Sequence, residues 1–203
     1  VKTDKIVADM KRTGWQDCDV ITFSGNGEPT LASNLGDAIR AIRELTGKPV
    51  VVLTNGSLLN DPAVRRDLSE ADHVSCKLDA PNDELFLVLN RPVGDLKVDR
   101  LVDGIDTFRK EFKGEFSIQT MLLPANARKA AELIPILKRI KPDEVHVNLP
   151  SRAFPDEWRP ELRGDHASFG SSRAFRLIPF AEVEAFGEEL RKGAKVEVRI
   201  PPR

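Results

Sequence analysis

Short β-rich runs alternate with amphipathic helical segments along most of this 203-residue chain, and that alternation limits the fold more than any other feature. A first helix is expected over Lys2–Arg12, where Ile6, Val7 and Met10 recur at helical spacing. Strands are then predicted at Asp19–Ser24, Val50–Thr54, His73–Asp79, Phe116–Leu123 and Glu144–Leu149, with helices between them at Leu35–Leu45, Pro62–Leu68, Val98–Phe112 and Ala127–Ile140. Strands joined through helices build β-α-β units around a parallel sheet. The expected class is therefore α/β, as most of an α/β barrel or as a doubly wound sheet. Residues 1–150 carry this pattern. Residues 151–203 form a second stretch: a long loop over 151–179, a helix over Phe180–Lys192 and a last strand in KVEVRI, packed on the first.

Composition excludes several classes. The 31 basic and 32 acidic residues leave a net charge of -1, so no global field draws the chain to nucleic acid or to a membrane. No apolar run approaches the roughly 20 residues of a membrane helix, and the first residues lack a signal-peptide pattern, so a cytoplasmic protein is expected. Cys18 and Cys76 are too few for a disulfide framework and share no metal-ligand spacing.

In a barrel, alternate strand residues face the lumen. With Val74, Cys76 and Leu78 turned to the helices, Ser75, Lys77 and Asp79 face inward. The same alternation turns Ser117, Gln119 and Met121 inward on the fourth strand, and His146 and Asn148 on the fifth. The strand ends add Ser24 to Glu28, Thr54 and Asn55, and ligands of α/β folds collect at the carboxyl ends of strands. Lys77 and Asp79 also read as an interior ion pair. His146 has no second His or Cys at ligand spacing, so no metal site is expected in this chain.

The stretch VITFSGNGEPTL narrows the ligand. Gly25 and Gly27 allow positive φ and close backbone approach, and Glu28 supplies an acceptor for a cationic group. A phosphate loop would carry a lysine or open a helix with a third glycine, whereas here Pro29 follows Glu28 directly. The loop suits an ammonium, and so an amino acid-like ligand.

Several segments occur together and in order: SGNGEPTL, DLSEADHVSCKLDA, NRP at 90–92, FRKEFKGEFSIQTML and KPDEVHVNLPSRAFPDEW. Together they resemble the radical S-adenosylmethionine (SAM) superfamily, in the branch of short iron–sulfur oxidoreductases related to wyosine (tRNA) base synthases. The resemblance implies a partial (β/α)6 TIM-like barrel of the radical SAM type whose first strand is missing. It implies SAM binding by Ser24, Gly25, Asn26, Gly27 and Glu28, with the methionyl amine at Glu28, and by Thr54, Asn55, Lys77 and Asp79. Gln119 and Asn148 would face the nucleoside or the substrate, and Arg91, Met121, His146 and Arg152 are substrate candidates. The activity implied is reductive cleavage of SAM at a [4Fe–4S] cluster to methionine and a 5′-deoxyadenosyl radical, which abstracts hydrogen from the substrate. A flavodoxin or ferredoxin would supply the electron. A tRNA base is the substrate suggested by family association, and the loop residues Phe154, Trp158, Phe169 and Phe175 among arginines suit base stacking.

The resemblance lacks one part. The C-x3-C-x2-C loop that holds the cluster in this family is absent, and the chain starts at the helix that would follow it. Either these residues are a trimmed part of a longer enzyme, which the non-initiator Val1 favours, or they are a natural domain that has lost the cluster. A missing strand would also leave an open sheet edge that favours dimerisation. PANARK after TMLL departs from the glycine and Asn-Asp of relatives, which points to a different substrate. The rival function is a cluster-free binding scaffold, or an aldolase-like barrel with Lys77 as Schiff-base lysine. Asp79 beside Lys77 opposes the second form, because its charge favours the ammonium over the nucleophilic amine.

Overall fold

A computed structural model describes residues 1–24, 27–150 and 178–202. The predicted loop at 151–179 lies almost wholly outside the described residues, as do Gly25, Asn26 and Arg152.

Among the described residues, six strands form one parallel sheet: β1 (Ile21–Phe23), β2 (Val50–Thr54), β3 (His73–Lys77), β4 (Glu115–Met121), β5 (Glu144–Asn148) and β6 (Glu197–Arg199). Each pairs in parallel with the next in sequence, in the order β1-β2-β3-β4-β5-β6. A doubly wound sheet reverses its strand order at a switch point; this order never reverses, which is the progression of a barrel. The outer sides of β1 and β6 have no strand partner among the described residues, so the barrel is partial. The last strand is a full member of the sheet, with Val145 opposite Val198 and His146 opposite Arg199.

Among the described residues, seven α-helices connect or precede the strands: α1 (Thr3–Met10), α2 (Leu35–Thr46), α3 (Pro62–Leu68), α4 (Asp83–Leu89), α5 (Val98–Glu111), α6 (Ala130–Ile140) and α7 (Phe180–Ala194). Their bounds follow local chemistry. Helix α2 buries Leu35, Ile39 and Ile42 and ends at Gly47, whose φ of 63° is the left-handed cap. Asp61 accepts Ala63 N–H at 2.7 Å to start α3, with Pro62 in the first turn. The sequence reading passed over α4, which Asn82 caps by accepting Leu85 N–H at 3.0 Å.

The outer face of the sheet is apolar. Val50, Val52, Val74, Cys76, Phe116, Ile118, Val145 and Val147 are all buried in the core under the helices. Phe108 of α5 stacks on Phe112 and meets Phe116 of β4 edge-on, with ring centroids 4.9 and 5.9 Å apart. Burying each such side chain contributes about 1.5–3 kcal/mol. At the amino ends of the strands two carboxylates fix the register. Asp72 accepts Val50 N–H at 2.7 Å, and Asp143 accepts Phe116 N–H at 2.8 Å. The opposite ends, where the polar residues converge, are thereby held in fixed relation.

Candidate functional site

The inner face carries the predicted polar set in registered rows. Lys77 stands opposite Gln119, Gln119 opposite His146, and His146 opposite Arg199, so one row crosses four strands. The next row toward the carboxyl ends pairs Met121 with Asn148. In the row below, Ser75 stands opposite Ser117, and Ser117 bonds His73 Nε2 at 2.8 Å.

Glu28 sits where β1 leaves the sheet, and its carboxylate is heavily engaged. Oε1 accepts Thr54 Oγ1 at 2.5 Å, Thr30 Oγ1 at 2.7 Å and Thr30 N at 3.2 Å, while Oε2 accepts Asn55 N at 2.7 Å. It therefore locks the β1 exit to the β2 exit and leaves acceptor capacity mainly on Oε2. Thr54 turns to the helix-covered side, in register with Cys76, and its hydroxyl also accepts Gly56 N–H at 3.1 Å. Thr54 is thus a clamp beneath the loop and not an inward-facing group. The Asn55 carbonyl is taken by Ser57 N–H at 2.8 Å, so its side chain offers chiefly the amide donors.

A Cβ built at Gly27 would meet no described residue within 4 Å, so among the described residues the glycine leaves open space beside Glu28. A cleft of about 440 Å³ adjoins it, running past Ser24, Gly27 and Glu28 into apolar walls from Ile6, Met10 and Leu35.

A second lock lies across the site. Asp79 is buried and accepts Met121 N–H at 2.8 Å on Oδ1 and Asn90 Nδ2 at 2.8 Å on Oδ2, where it also holds Lys77 Nζ. Asn126, 0 % exposed, supports the turn from behind, donating to Asp79 O at 2.8 Å and Met121 O at 3.0 Å while accepting Leu123 N–H at 2.7 Å. His146 Nε2 is 2.8 Å from Glu144 Oε2, and Glu144 also pairs with Arg199. The hydrogen bond from His146, with the Arg199 charge behind it, holds the Glu144 carboxyl below its usual range. Burial pushes the Cys76 thiol far up, and the Glu28 charge adds to the shift, so Cys76 stays a protonated core residue.

With this geometry in hand the chain can be set beside known proteins. The model of the Radical SAM superfamily matches residues 1–134. The chain belongs to the Radical SAM superfamily. It is 42 % identical over 167 residues to a UPF0026 protein of Synechocystis, covering 82 % of this chain and 63 % of that protein. The chain thus spans less than two thirds of that relative, and 42 % of a UPF0026 protein of Methanocaldococcus jannaschii. Among solved structures, SuiB of Streptococcus suis bound to S-adenosylmethionine aligns over 100 % of this chain and 42 % of its own, with a TM-score of 0.68 at 13 % identity. TYW1 with a lysine–pyruvate adduct bound aligns over 95 % of this chain and 59 % of its own, with a TM-score of 0.61 at 15 % identity. At these identities the two structures show the fold, a partial TIM-like barrel of the radical SAM type.

Tested against that family's groups, the described residues divide. The donor set does not fit a [4Fe–4S] cluster: the two cysteines are an exposed Cys18 and a buried Cys76, and no group of three or more His, Cys, Asp or Glu is placed to hold a metal among the described residues. They do fit SAM, through the open space at Gly27, the remaining acceptor capacity of Glu28 and the inward row containing Lys77 and Gln119. Of the substrate candidates, Met121 and His146 join that row and its neighbour, whereas Arg91 is exposed after α4 with a φ of 45°. Sequence reasoning missed Thr30, Asn90, Asn126 and Arg199 as parts of the site. Thr30 lies in SGNGEPTL, Asn90 in NRP and Asn126 in PANARK, segments that bore on the family and its substrate and not on these residues' roles.

Proposed function

We propose that this chain is the SAM-binding part of a radical SAM enzyme whose whole protein draws its cluster thiolates from residues outside these 203. The single observation that carries the reading is Glu28. It is a carboxylate held rigid at the β1 exit beside open space at Gly27, in a chain of that superfamily. In that assembly SAM supplies the hydrogen-abstracting chemistry. The chain's own residues bind and orient. Glu28 Oε2, or the backbone beside it, accepts the methionyl ammonium. Lys77 gives its remaining N–H donors to acceptor groups in the pocket, and Gln119 and Asn148 present amides to a planar nucleoside or substrate edge.

The two amides, with His146 opposite Gln119 and two residues before Asn148 on the same strand, suit a heterocyclic edge that both donates and accepts, and a tRNA base is the proposed substrate class on that ground and on the family branch. An electron donor of the flavodoxin or ferredoxin kind completes the requirement. The Schiff-base alternative is disfavoured because Lys77 Nζ is committed to Asp79.

The binding half of the proposal is tested with S-adenosylhomocysteine titrated into the 203-residue chain by NMR. Shifts centred on Ser24, Gly27, Asn55 and Lys77 are expected. Shifts confined to the amino-terminal ends of the strands would refute the placement.

A further inference from the structure

Three polar side chains of the inward rows keep hydrogen-bonding capacity for a ligand: Gln119, His146 and Asn148. The amides of Gln119 and Asn148 are tied to no other described residue, and an amide that turns over fits a donor as well as an acceptor. They add affinity without preference. His146 differs, because one of its ring nitrogens is already committed.

His146 Nε2 lies 2.8 Å from Glu144 Oε2, while Arg199 takes the other carboxylate oxygen, Oε1. The hydrogen bond from His146 and the Arg199 charge hold the Glu144 carboxyl below its usual range, so near neutrality it is ionised and only accepts. The proton of a neutral imidazole facing it must therefore sit on Nε2, which leaves Nδ1 bare. No described residue donates to Nδ1. The side chain is 27 % exposed on the inward face, between Gln119 and Arg199 in register, so a molecule in the lumen can reach the ring.

We propose that His146 is the specificity-determining acceptor of this pocket, selecting a heterocyclic substrate whose edge carries a ring N–H. Glu144 and Arg199 are its positioning residues: Arg199 fixes the carboxylate, and the carboxylate fixes the tautomer. The inference deepens the reading of a base as substrate and rests on the lumen being the substrate site, but not on radical chemistry there. Protonation of the ring turns Nδ1 into a donor and removes the preference. The charged and titratable groups sharing the inward face with it are Glu144 on β5, Arg199 and Glu197 on β6, His73 and Lys77 on β3 and Glu115 on β4.

The test is an NMR titration of the 203-residue chain, at about pH 8 where a free imidazole is neutral, with two size-matched nucleoside pairs. Uridine and guanosine carry a ring N–H; cytidine and adenosine present a bare ring nitrogen there. In 3-methyluridine a methyl group replaces the N–H. Uridine or guanosine is expected to bind at least about 10-fold more tightly than its size-matched partner, roughly the worth of one good hydrogen bond, and 3-methyluridine to lose the gain. His146→Gln should erase the preference and keep binding, because its amide turns either way. Ring nitrogen spectra should show the proton of His146 on Nε2. Glu144→Gln should spread it over both nitrogens and reduce the preference, and Arg199→Lys should restore what Arg199→Met loses. A purely structural Glu144 would move stability without moving the tautomer.

Equal binding within both pairs, no nucleoside shifts at His146, or a proton on Nδ1 in the free chain overturns the proposal. So does His146→Gln weakening S-adenosylhomocysteine as much as uridine, because the nitrogen then reads the cofactor's adenine. A whole protein that leaves SAM intact while the preference persists refutes the radical reading alone. One that forms 5′-deoxyadenosine while the chain shows no preference refutes this inference alone.

Discussion

Thr54 Oγ1 donates to Glu28 Oε1 at 2.5 Å, and the adjacent Asn55 N–H donates to Glu28 Oε2 at 2.7 Å, so one carboxylate clamps the exits of β1 and β2. Replacing it by an amide is not conservative. Glu28→Gln must turn its NH2 toward the Thr30 and Thr54 donors or toward the exposed Asn55 N–H, so one arm of the clamp is lost either way. A loss of about 1–3 kcal/mol in urea denaturation is expected, together with weaker S-adenosylhomocysteine binding. Unchanged stability with lost binding would instead make Glu28 a pure ligand contact.

The second lock depends on Asn126, which bonds Asp79 O, Met121 O and Leu123 N from a fully buried position. Asn126→Ala strands two carbonyls and an amide behind the Lys77 corner. Equilibrium unfolding is expected to show a loss of about 3 kcal/mol, and Asn126→Asp should be at least as damaging, because it sets a carboxylate against carbonyl oxygens. A loss below about 1 kcal/mol for the alanine variant contradicts this role.

Gly56 is required by its backbone and by its neighbour. Its φ is 75°, and a Cβ there would lie 2.6 Å from Cys76 Sγ. Gly56→Ala is expected to cost at least about 2 kcal/mol. Adding Cys76→Ala should restore part of that loss by making room, a coupling a double-mutant cycle reads directly. Strict additivity would place the whole effect in the backbone.

Acid sensitivity between pH 7 and 5 is assigned to His73, whose pKa burial holds below its usual value of about 6.5 despite the opposing Glu115 charge. The unfolded chain therefore takes up this proton at a higher pH than the folded one. The stabilisation is complete above the unfolded value and is lost as pH falls toward the folded value. Glu144 is also shifted down, by its hydrogen bond from His146, and as a carboxyl its contribution is present above its usual value of about 4.5 and lost only as pH falls below it. His73→Gln should flatten the stability profile between pH 7 and 5, and an unchanged slope would rule His73 out as its source.

The sheet and its inward polar set were legible because both are periodic. Val74, Cys76 and Leu78 alternate with Ser75, Lys77 and Asp79 in side-chain type, although Ser75 and Asp79 are themselves buried and only Lys77 reaches solvent. Helix α4 escaped because Leu85, Leu87, Val88 and Leu89 give no single apolar stripe, and Leu87 and Val88 are exposed. Its cap was nonetheless written in Asn82, followed by Asp83 and Glu84.

The site was legible in its residue types and less so in its wiring. Glu28 meets Thr54 across 26 residues and Asn126 meets Asp79 across 47, and no local pattern encodes such pairings.

The most direct test of radical SAM function is the anaerobic assay of the whole protein. Its coding sequence, including residues outside these 203, is expressed and reconstituted with iron and sulfide, then incubated with SAM and dithionite. Production of 5′-deoxyadenosine, strongly reduced by Glu28→Ala and Lys77→Met, is the expected result. A whole protein that binds no cluster, or that binds one and leaves SAM intact, contradicts the proposed function.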